Sequence, residues 1–389
     1  AEVFHYNDTV RRRTAIFVGR DYLISKISGS SHNWAIFGGR RIGKSSLLLA
    51  IEENLSERPN QRVVFHSMLS TAGDQGDDAL AAALWQNLSK RLRLSASDPL
   101  RIVRTVEEFR QHIQQHLDSN PDDLITIMID EIDQYLSRGK SRHQIIEAFR
   151  ALADRNPARF RVILAGFTLL YDCLQGRGPY APESDPWTRM FTDPKPLPNL
   201  NSIQAENLIK EGFYRILGWQ FERSVVPQMI VQRTSGHPAF VQHFCRKLQE
   251  IVGARGDRMI RIDDVERVFA DKDPNYSFRA YVRNTFVMNL DSVSQYLIYN
   301  IAREAEQSRR FTIAQLQDYA RLNGDTIPED QIKASLDKLN VTGVVHESTR
   351  GVYEFAVPDY PLLLKELGET KHLEDLENQV LAAIGVHHA

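Results

Sequence analysis

The segment Gly38-Gly39-Arg40-Arg41-Ile42-Gly43-Lys44-Ser45 matches G-x-x-x-x-G-K-[ST] at every specified position, and its flanks are those the pattern requires. An apolar strand, Trp34-Ala35-Ile36-Phe37, precedes it, and a helical pattern, Ser46-Leu47-Leu48-Leu49-Ala50-Ile51, follows. Strand, glycine loop and helix N-terminus together build an anion site: loop N–H groups converge on phosphate oxygens and the helix dipole adds partial positive charge. In this pattern Lys44 reaches the β- and γ-phosphates of a nucleotide, and the Ser45 hydroxyl holds Mg²⁺.

A second motif lies downstream. Leu124-Ile125-Thr126-Ile127-Met128-Ile129 is an apolar, β-branched run, which reads as a buried parallel strand, and it ends in Asp130-Glu131. A carboxylate at such a strand tip can hold the Mg²⁺ shell, and its neighbour can orient and deprotonate water. Asp130 is assigned to the metal and Glu131 to the water. Asp133 reads as a helix-start charge rather than a third ligand.

A chain of 389 residues suggests two or three domains. With 48 basic against 50 acidic side chains, overall charge offers no argument for nucleic acid or an anionic membrane. The two cysteines, Cys173 and Cys245, form neither a metal spacing nor a disulfide framework, which fits a reducing, cytoplasmic setting. No apolar run reaches the ~18 residues of a membrane span, and no signal peptide is visible. The chain opens at Ala1 rather than Met, as a processed or excised form does.

Residues 1–14 read as a polar, solvated arm carrying Arg11-Arg12-Arg13. Residues 15–200 alternate strands (Trp34–Phe37, Val63–Ser67, Ile125–Ile129, Arg161–Ala165) with helices, one of them opened by a capping box at Thr105. Such alternation predicts an α/β core, a parallel sheet with helices on both faces. Residues 201–275 carry helical periodicity alone, at Ser202–Leu217, Val225–Thr234, Ala239–Val252 and from Asp263 to Phe269, and are expected to form a small helical lid. Residues 285–368 show three helical stripes. The first is Val293, Tyr296, Leu297 and Ile301, the second opens with Thr312-Ile313-Ala314-Gln315, and the third follows Pro328. Two strand-like runs, 343–346 and 352–357, come next; three helices and a hairpin is the winged-helix order. Residues 369–389 form a polar tail with a short apolar stripe and His387 and His388, read as no metal site.

The motifs then arrive in a familiar order. Phe17-Val18-Gly19-Arg20-Asp21 resembles the FxGR(E/D) box of STAND and origin-recognition-type AAA+ ATPases, which lines their adenine pocket. The loop from Gly39 through Ser45 and Ser46 to Leu48 resembles the GPRRxGKTSLL of archaeal-type STAND ATPases, with Gly39 for Pro and Ser45 for Thr. Val162-Ile163-Leu164-Ala165-Gly166-Phe167-Thr168 is similar to their sensor strand, and Phe167 in place of the usual serine leaves Thr168 as the polar sensor. Trp187-Thr188-Arg189-Met190-Phe191, with Pro196-Leu197-Pro198, resembles the segment bearing an arginine near the γ-phosphate. Ser235-Gly236-His237-Pro238-Ala239-Phe240 is similar to the lid GxP motif, whose proline packs on adenine. The resemblance spans about residues 16–365. It implies a P-loop ATPase core binding ATP or ADP with Mg²⁺, a helical lid and a winged-helix domain. Any one of Arg155, Arg159 and Arg161, just before or within the sensor strand, could be an arginine finger acting on a neighbouring subunit, worth up to about 10³-fold or more in rate.

The resemblance implies a slow ATP-hydrolysing switch: ATP cross-links loop, base pocket, Arg189 and lid, and hydrolysis removes the last contact. Two classes remain open for it. One is a STAND-type switch that self-associates or engages a partner protein. The other is a DNA-loaded AAA+ ATPase acting in replication, transposition or repair. The third winged-helix helix, from Pro328 to Lys338, carries three acids against two lysines, which opposes DNA binding through phosphate neutralisation.

Overall fold

The fold is taken from a computed structural model. It describes residues 3–4, 8–12, 14, 16–70, 76–95, 98–137, 144–177, 187–191, 194, 196–273, 275–286, 290–304, 310–319, 321–322, 325–357, 361, 364 and 375–380. Arg13 and the terminal histidines of the expected tail lie outside them.

The core is a four-stranded sheet in the order β1-β4-β3-β2, parallel throughout. Its strands are β1 (Trp34–Phe37), β2 (Gln61–Ser67), β3 (Leu124–Asp130) and β4 (Phe160–Gly166). Each expected run is present; β2 begins earlier than its apolar stretch because Gln61 pairs with Leu124. The pleat sends alternate side chains to opposite faces. Ile125, Ile127 and Ile129 join the cluster under α3 (Asp77–Arg91), α4 (Val106–Ser119) and α6 (Gln144–Arg155). Met128 joins the other cluster, under α1 (Asp21–Gly29) and α2 (Lys44–Ser56). Short helices α5 (Asp133–Leu136), α7 (Thr168–Leu174) and α8 (Trp187–Met190) complete the layer. Phe37 pairs with Gly166 and Ser67 with Asp130, so the strands' carboxyl ends finish together and open one crevice.

Past α8 the chain runs alongside β1. Asn33 Nδ2 donates to Met190 O at 3.2 Å before the strand, and Leu197 N donates to Phe37 O at 2.7 Å at its end.

The helical region comprises α9 (Ser202–Lys210), α10 (Val225–Thr234), α11 (Pro238–Ala254), α12 (Ile262–Ala270) and α13 (Phe278–Phe286), with β5 (Gln220–Phe221) and β6 (Met259–Ile260) as a parallel pair. The helix expected to run from Ser202 to Leu217 changes pitch: residues Glu211–Ile216 form a π-helical turn. It widens where the Phe4 ring packs on Gly212, at which an added Cβ would lie 2.4 Å from that ring. The expectation of a solvated N-terminal arm is thereby corrected. Val3 and Phe4 are 5 % and 0 % exposed, and the Phe4 ring centroid lies 4.8 Å from that of Phe213. The polar composition of residues 1–14 concealed two apolar anchors. Helix α13, which falls between the two expected regions, packs on α11 through Phe278 against Phe240 and Phe244.

The C-terminal region contains α14 (Ser292–Glu304), β7 (Arg310–Thr312), α15 (Ile313–Tyr319), β8 (Arg321–Leu322), β9 (Asp325–Thr326), α16 (Glu329–Val341), β10 (Val345–Thr349) and β11 (Val352–Phe355). The β10–β11 hairpin gains β7 as a third, antiparallel strand. Thr312 N donates to Gln315 Oε1 at 2.8 Å and Gln315 N to Thr312 Oγ1, the reciprocal cap that opens α15. Helical and C-terminal regions share one buried apolar cluster, whereas Val341 of α16 is buried with the core. Among the described residues no helix is long and apolar enough to cross a membrane.

Candidate functional site

The phosphate-type loop joins β1 to α2. Gly43 takes φ 97° at the N-cap of α2, and Arg41 takes φ 60°, a left-handed conformation costly for a side-chain-bearing residue. Lys44 Nζ donates to the carbonyls of Gly39 at 2.9 Å and Gly38 at 3.0 Å, so the side chain folds back over its own loop. Arg20, 5 % exposed, braces the loop from behind: its Nη2 donates to Ile42 O at 3.2 Å and Pro198 O at 2.8 Å. Burial lowers its pKa to about 10, which leaves it charged at neutral pH.

Asp130 ends β3, is 3 % exposed, and accepts hydrogen bonds from the Ser45 hydroxyl and from Glu131 N, the latter at 2.9 Å. Burial raises its pKa against the stabilising Ser45 and Lys44. Glu131, half-buried at φ 57°, is raised first by burial and then by the Asp130 charge, with Lys44 and Arg40 opposing. The mirror effect acts on Lys44, lowered by burial and supported by Asp130, Asp133 and Glu131. A base with a raised pKa beside a cation is suited to taking a proton from water.

The Asp133 carboxylate reaches away from its own short helix. Its carboxylate accepts the backbone N–H groups of Phe167, Leu169 and Leu170 and so caps α7 across the crevice. Gly166 permits this approach: a Cβ there would stand 2.3 Å from Asp133 Oδ2.

The crevice encloses about 730 Å³. Phe17 and Val18 form one wall, and Leu200, Leu208, Pro238, Ala239 and Gln242 face them from the helical region. Gly236 sets that wall, with φ 68°, Leu200 N donating to its carbonyl at 3.0 Å, and space for no Cβ against Leu200 O. Pro238 follows as the first residue of α11. Beside it His237 is buried, and desolvation lowers its pKa to about 3. The N-terminal arm passes over the mouth, where Asp8, Thr9 and Val10 line the cavity and Val10 N donates to Ser46 Oγ at 3.0 Å.

Residues 30–174 match the family model of an AAA domain. This segment is similar to an AAA domain. A search of the curated proteins finds no match. Among solved structures, the Walker-type ATPase PABY2304 of Pyrococcus abyssi superposes with a TM-score of 0.63 at 18% identity, covering 93% of this chain and 99% of that one. The ORC2 protein of Aeropyrum pernix, in its ADPNP–ADP complexes, superposes with a TM-score of 0.55 at 13% identity, covering 98% of each chain. These likenesses carry the fold beyond the AAA domain into the helical and C-terminal regions.

The AAA domain brings Arg40, Arg41, Ile42, Gly43, Lys44, Ser45, Ser46, Asp130 and Glu131 into one lining, with Phe17, Val18, Arg20 and Pro238 from outside it. Gly38 and Gly39 lie beneath the lining with their carbonyls on Lys44. Gly19 lies under Gln204, and Phe167 lines the cavity where Thr168, the first residue of α7, does not. Arg189 is not among the residues that line the cavity; it is exposed on α8, next to the Met190 carbonyl that meets Asn33 before β1. Arg159 and Arg161 do not line this subunit's own cavity, so their part as fingers toward a neighbouring subunit stays a proposal. Arg159 donates to the carbonyls of Leu117 and Asn120, and buried Arg161 to Thr126 Oγ1 and the carbonyls of Ile27 and Ser30, all at the amino edge of the sheet. Arg155 ends α6 at that same edge. Asp8, Val10, Phe167 and Gln242 escaped the sequence reading, because no local pattern marks a residue that reaches a site from another layer.

Proposed function

We propose that this chain is an ATP-hydrolysing AAA+ switch of STAND type, whose nucleotide state sets the position of a helical lid (residues 201–275, with α13) and a winged-helix domain (α14 to β11). The observation that carries this reading is one continuous connection. The strand tip bearing Asp130 and Glu131 continues into Asp133, which caps α7. Helix α7 and the turn after it hold α16 by ion pairs, Arg177 to Asp337 at 2.9 Å and Lys338 to Asp172 at 3.8 Å. A change at the phosphates therefore has a short mechanical route to the third winged-helix helix.

In this reading the loop N–H groups and Lys44 hold the phosphates, Phe17, Val18 and Pro238 enclose the base, and Glu131 accepts a proton from the attacking water. Ser45 and Asp130 fit a Mg²⁺ ion: their side chains already meet, and among the described residues no three metal-ligating His, Cys, Asp or Glu side chains converge. That suits an ion completed by phosphate oxygens and water. Such an ion supplies charge neutralisation at the phosphates.

The ion pairs of α16 support an intramolecular or protein-contacting role for the winged helix over DNA reading, and self-association is the expected output. The test is light scattering of Glu131→Gln with ATP, with and without duplex DNA, at two salt concentrations. A mass increase with ATP alone supports the switch. An increase only with DNA, lost at higher salt, would transfer the chain to the DNA-loaded class. Failure of the wild type to bind ATP, or loss of neither binding nor hydrolysis in Lys44→Ala, would remove the ATPase reading.

A further inference from the structure

Hydrolysis of ATP develops charge on the transferred phosphoryl group, and a guanidinium aimed at it is the usual complement to the loop lysine. Of the arginines considered above, Arg155, Arg159 and Arg161 were candidates for a neighbouring subunit's site and lie at the amino edge of their own sheet, and Arg189 does not line the cavity. Among the described residues the cavity is lined by three arginines, Arg20, Arg40 and Arg41, and their surroundings differ. Arg20 is committed to the carbonyls of Ile42 and Pro198. Arg41 turns to the helical region, where its Nη1 donates to Tyr281 Oη at 2.7 Å and its guanidinium lies 5.1 Å from that ring's centre. Arg40 is exposed and makes no hydrogen bond or ion pair through its side chain with any described residue. It nevertheless lies within electrostatic reach of both Lys44 and Glu131, lowering the pKa of each. The left-handed turn at Arg41 parts the two neighbours, one committed to the helical region and one lining the cavity with Glu131.

We propose that Arg40 is a catalytic arginine supplied in cis, contacting the γ-phosphate in its own subunit's site. The proposal rests on the ATPase reading above. In the step it assists, a water oxygen forms a bond to the γ-phosphorus and the bond to the β–γ bridging oxygen breaks. ADP departs with that electron pair, and the water proton passes to Glu131. Arg40 neutralises charge on the γ oxygens throughout, a contact that ADP cannot offer.

The test compares wild type, Arg40→Ala and Arg40→Lys for kcat and KM, and for ATP and ADP affinity measured separately. Arg40→Ala should lose about 10³-fold in kcat, bind ATP more weakly and bind ADP as the wild type does. Added guanidinium ion should restore part of its rate and leave the wild type unaffected. Lysine should rescue poorly, because it lacks the planar fork. Mixing Arg40→Ala with Lys44→Ala should restore nothing, since each subunit then lacks one cis element. Wild-type kcat in Arg40→Ala, an equal loss of ATP and ADP affinity, or recovery on mixing would each overturn the proposal. A wild type that hydrolyses no ATP would instead refute the reading beneath it. Melting temperatures within a degree or so of wild type, expected for an exposed side chain, confirm that the variants are folded.

Discussion

Arg41 of the phosphate loop donates to the Tyr281 hydroxyl of α13 at 2.7 Å, joining two segments 240 residues apart. Tyr281 in turn stacks on His243 of α11, ring centres 4.2 Å apart and planes at 7°. The loop thus meets the helical region through a partly solvated side-chain contact, beside the buried one that the Arg40 backbone makes with His237, and the left-handed backbone at Arg41 is the strain that accompanies it. A double-mutant cycle of Arg41→Ala and Tyr281→Phe, read by urea unfolding, should give a coupling of about 0.5–1 kcal/mol, in the range of exposed cation–π and hydrogen-bonded pairs. Additive effects would show that the two groups touch without mutual stabilisation.

Gly236 has no tolerance for a side chain. Its φ is 68°, and a Cβ would stand 2.2 Å from the Leu200 carbonyl, a backbone atom that cannot rotate away. Gly236→Ala should destabilise by about 2 kcal/mol or more and weaken nucleotide binding, because Pro238 and Ala239 of the cavity wall follow directly. Gly256→Ala is the control. It has a similar φ of 70° and open space around it, so it should cost only the backbone term of about 1 kcal/mol. Equal losses in the two variants would mean that the Leu200 contact yields.

His237 and His243 are both buried, and desolvation lowers each pKa from 6.5 to about 3. Between those values the unfolded chain binds protons that the folded chain refuses, so stability rises with pH across that window and is lost on acidification below about 6.5. At pH 5 the loss should approach about 2 kcal/mol for each histidine. Replacing His243 by Gln should flatten the dependence of the urea midpoint between pH 7 and 5. A variant as pH-sensitive as the wild type would assign the effect elsewhere.

Phe4 anchors the N-terminal arm in the helical region against Phe213 and Gly212. Phe4→Ala should cost about 3–4 kcal/mol, the range for a buried phenylalanine. It should also raise the rate of proteolysis before Ile16, since Val10 then holds the arm chiefly by its bond to Ser46. An unchanged melting temperature would return the arm to the solvated class.

The strand, loop and helix around Lys44, the Asp130-Glu131 strand tip, and the alternation that builds a parallel sheet were all legible in the sequence. Each is encoded locally, by the period of apolar residues, by glycines where φ must be positive, and by short polar runs where the chain must turn. The same locality explains the boundaries of α10 and the cap at Thr312. What only the tertiary structure decided is how single side chains are used. Asp133 caps a helix more than thirty residues away, Phe4 fills the helical region's core, and α13 supplies the partner for Arg41. Arg159 and Arg161 hold carbonyls at the amino edge of the sheet, Arg41 turns to Tyr281, and Arg40 lines the cavity with Glu131. An arginine's role depends on which carbonyl, carboxylate or ring lies within a few ångströms of its guanidinium. That distance is set by the packing of layers far apart in the chain, which no local pattern records.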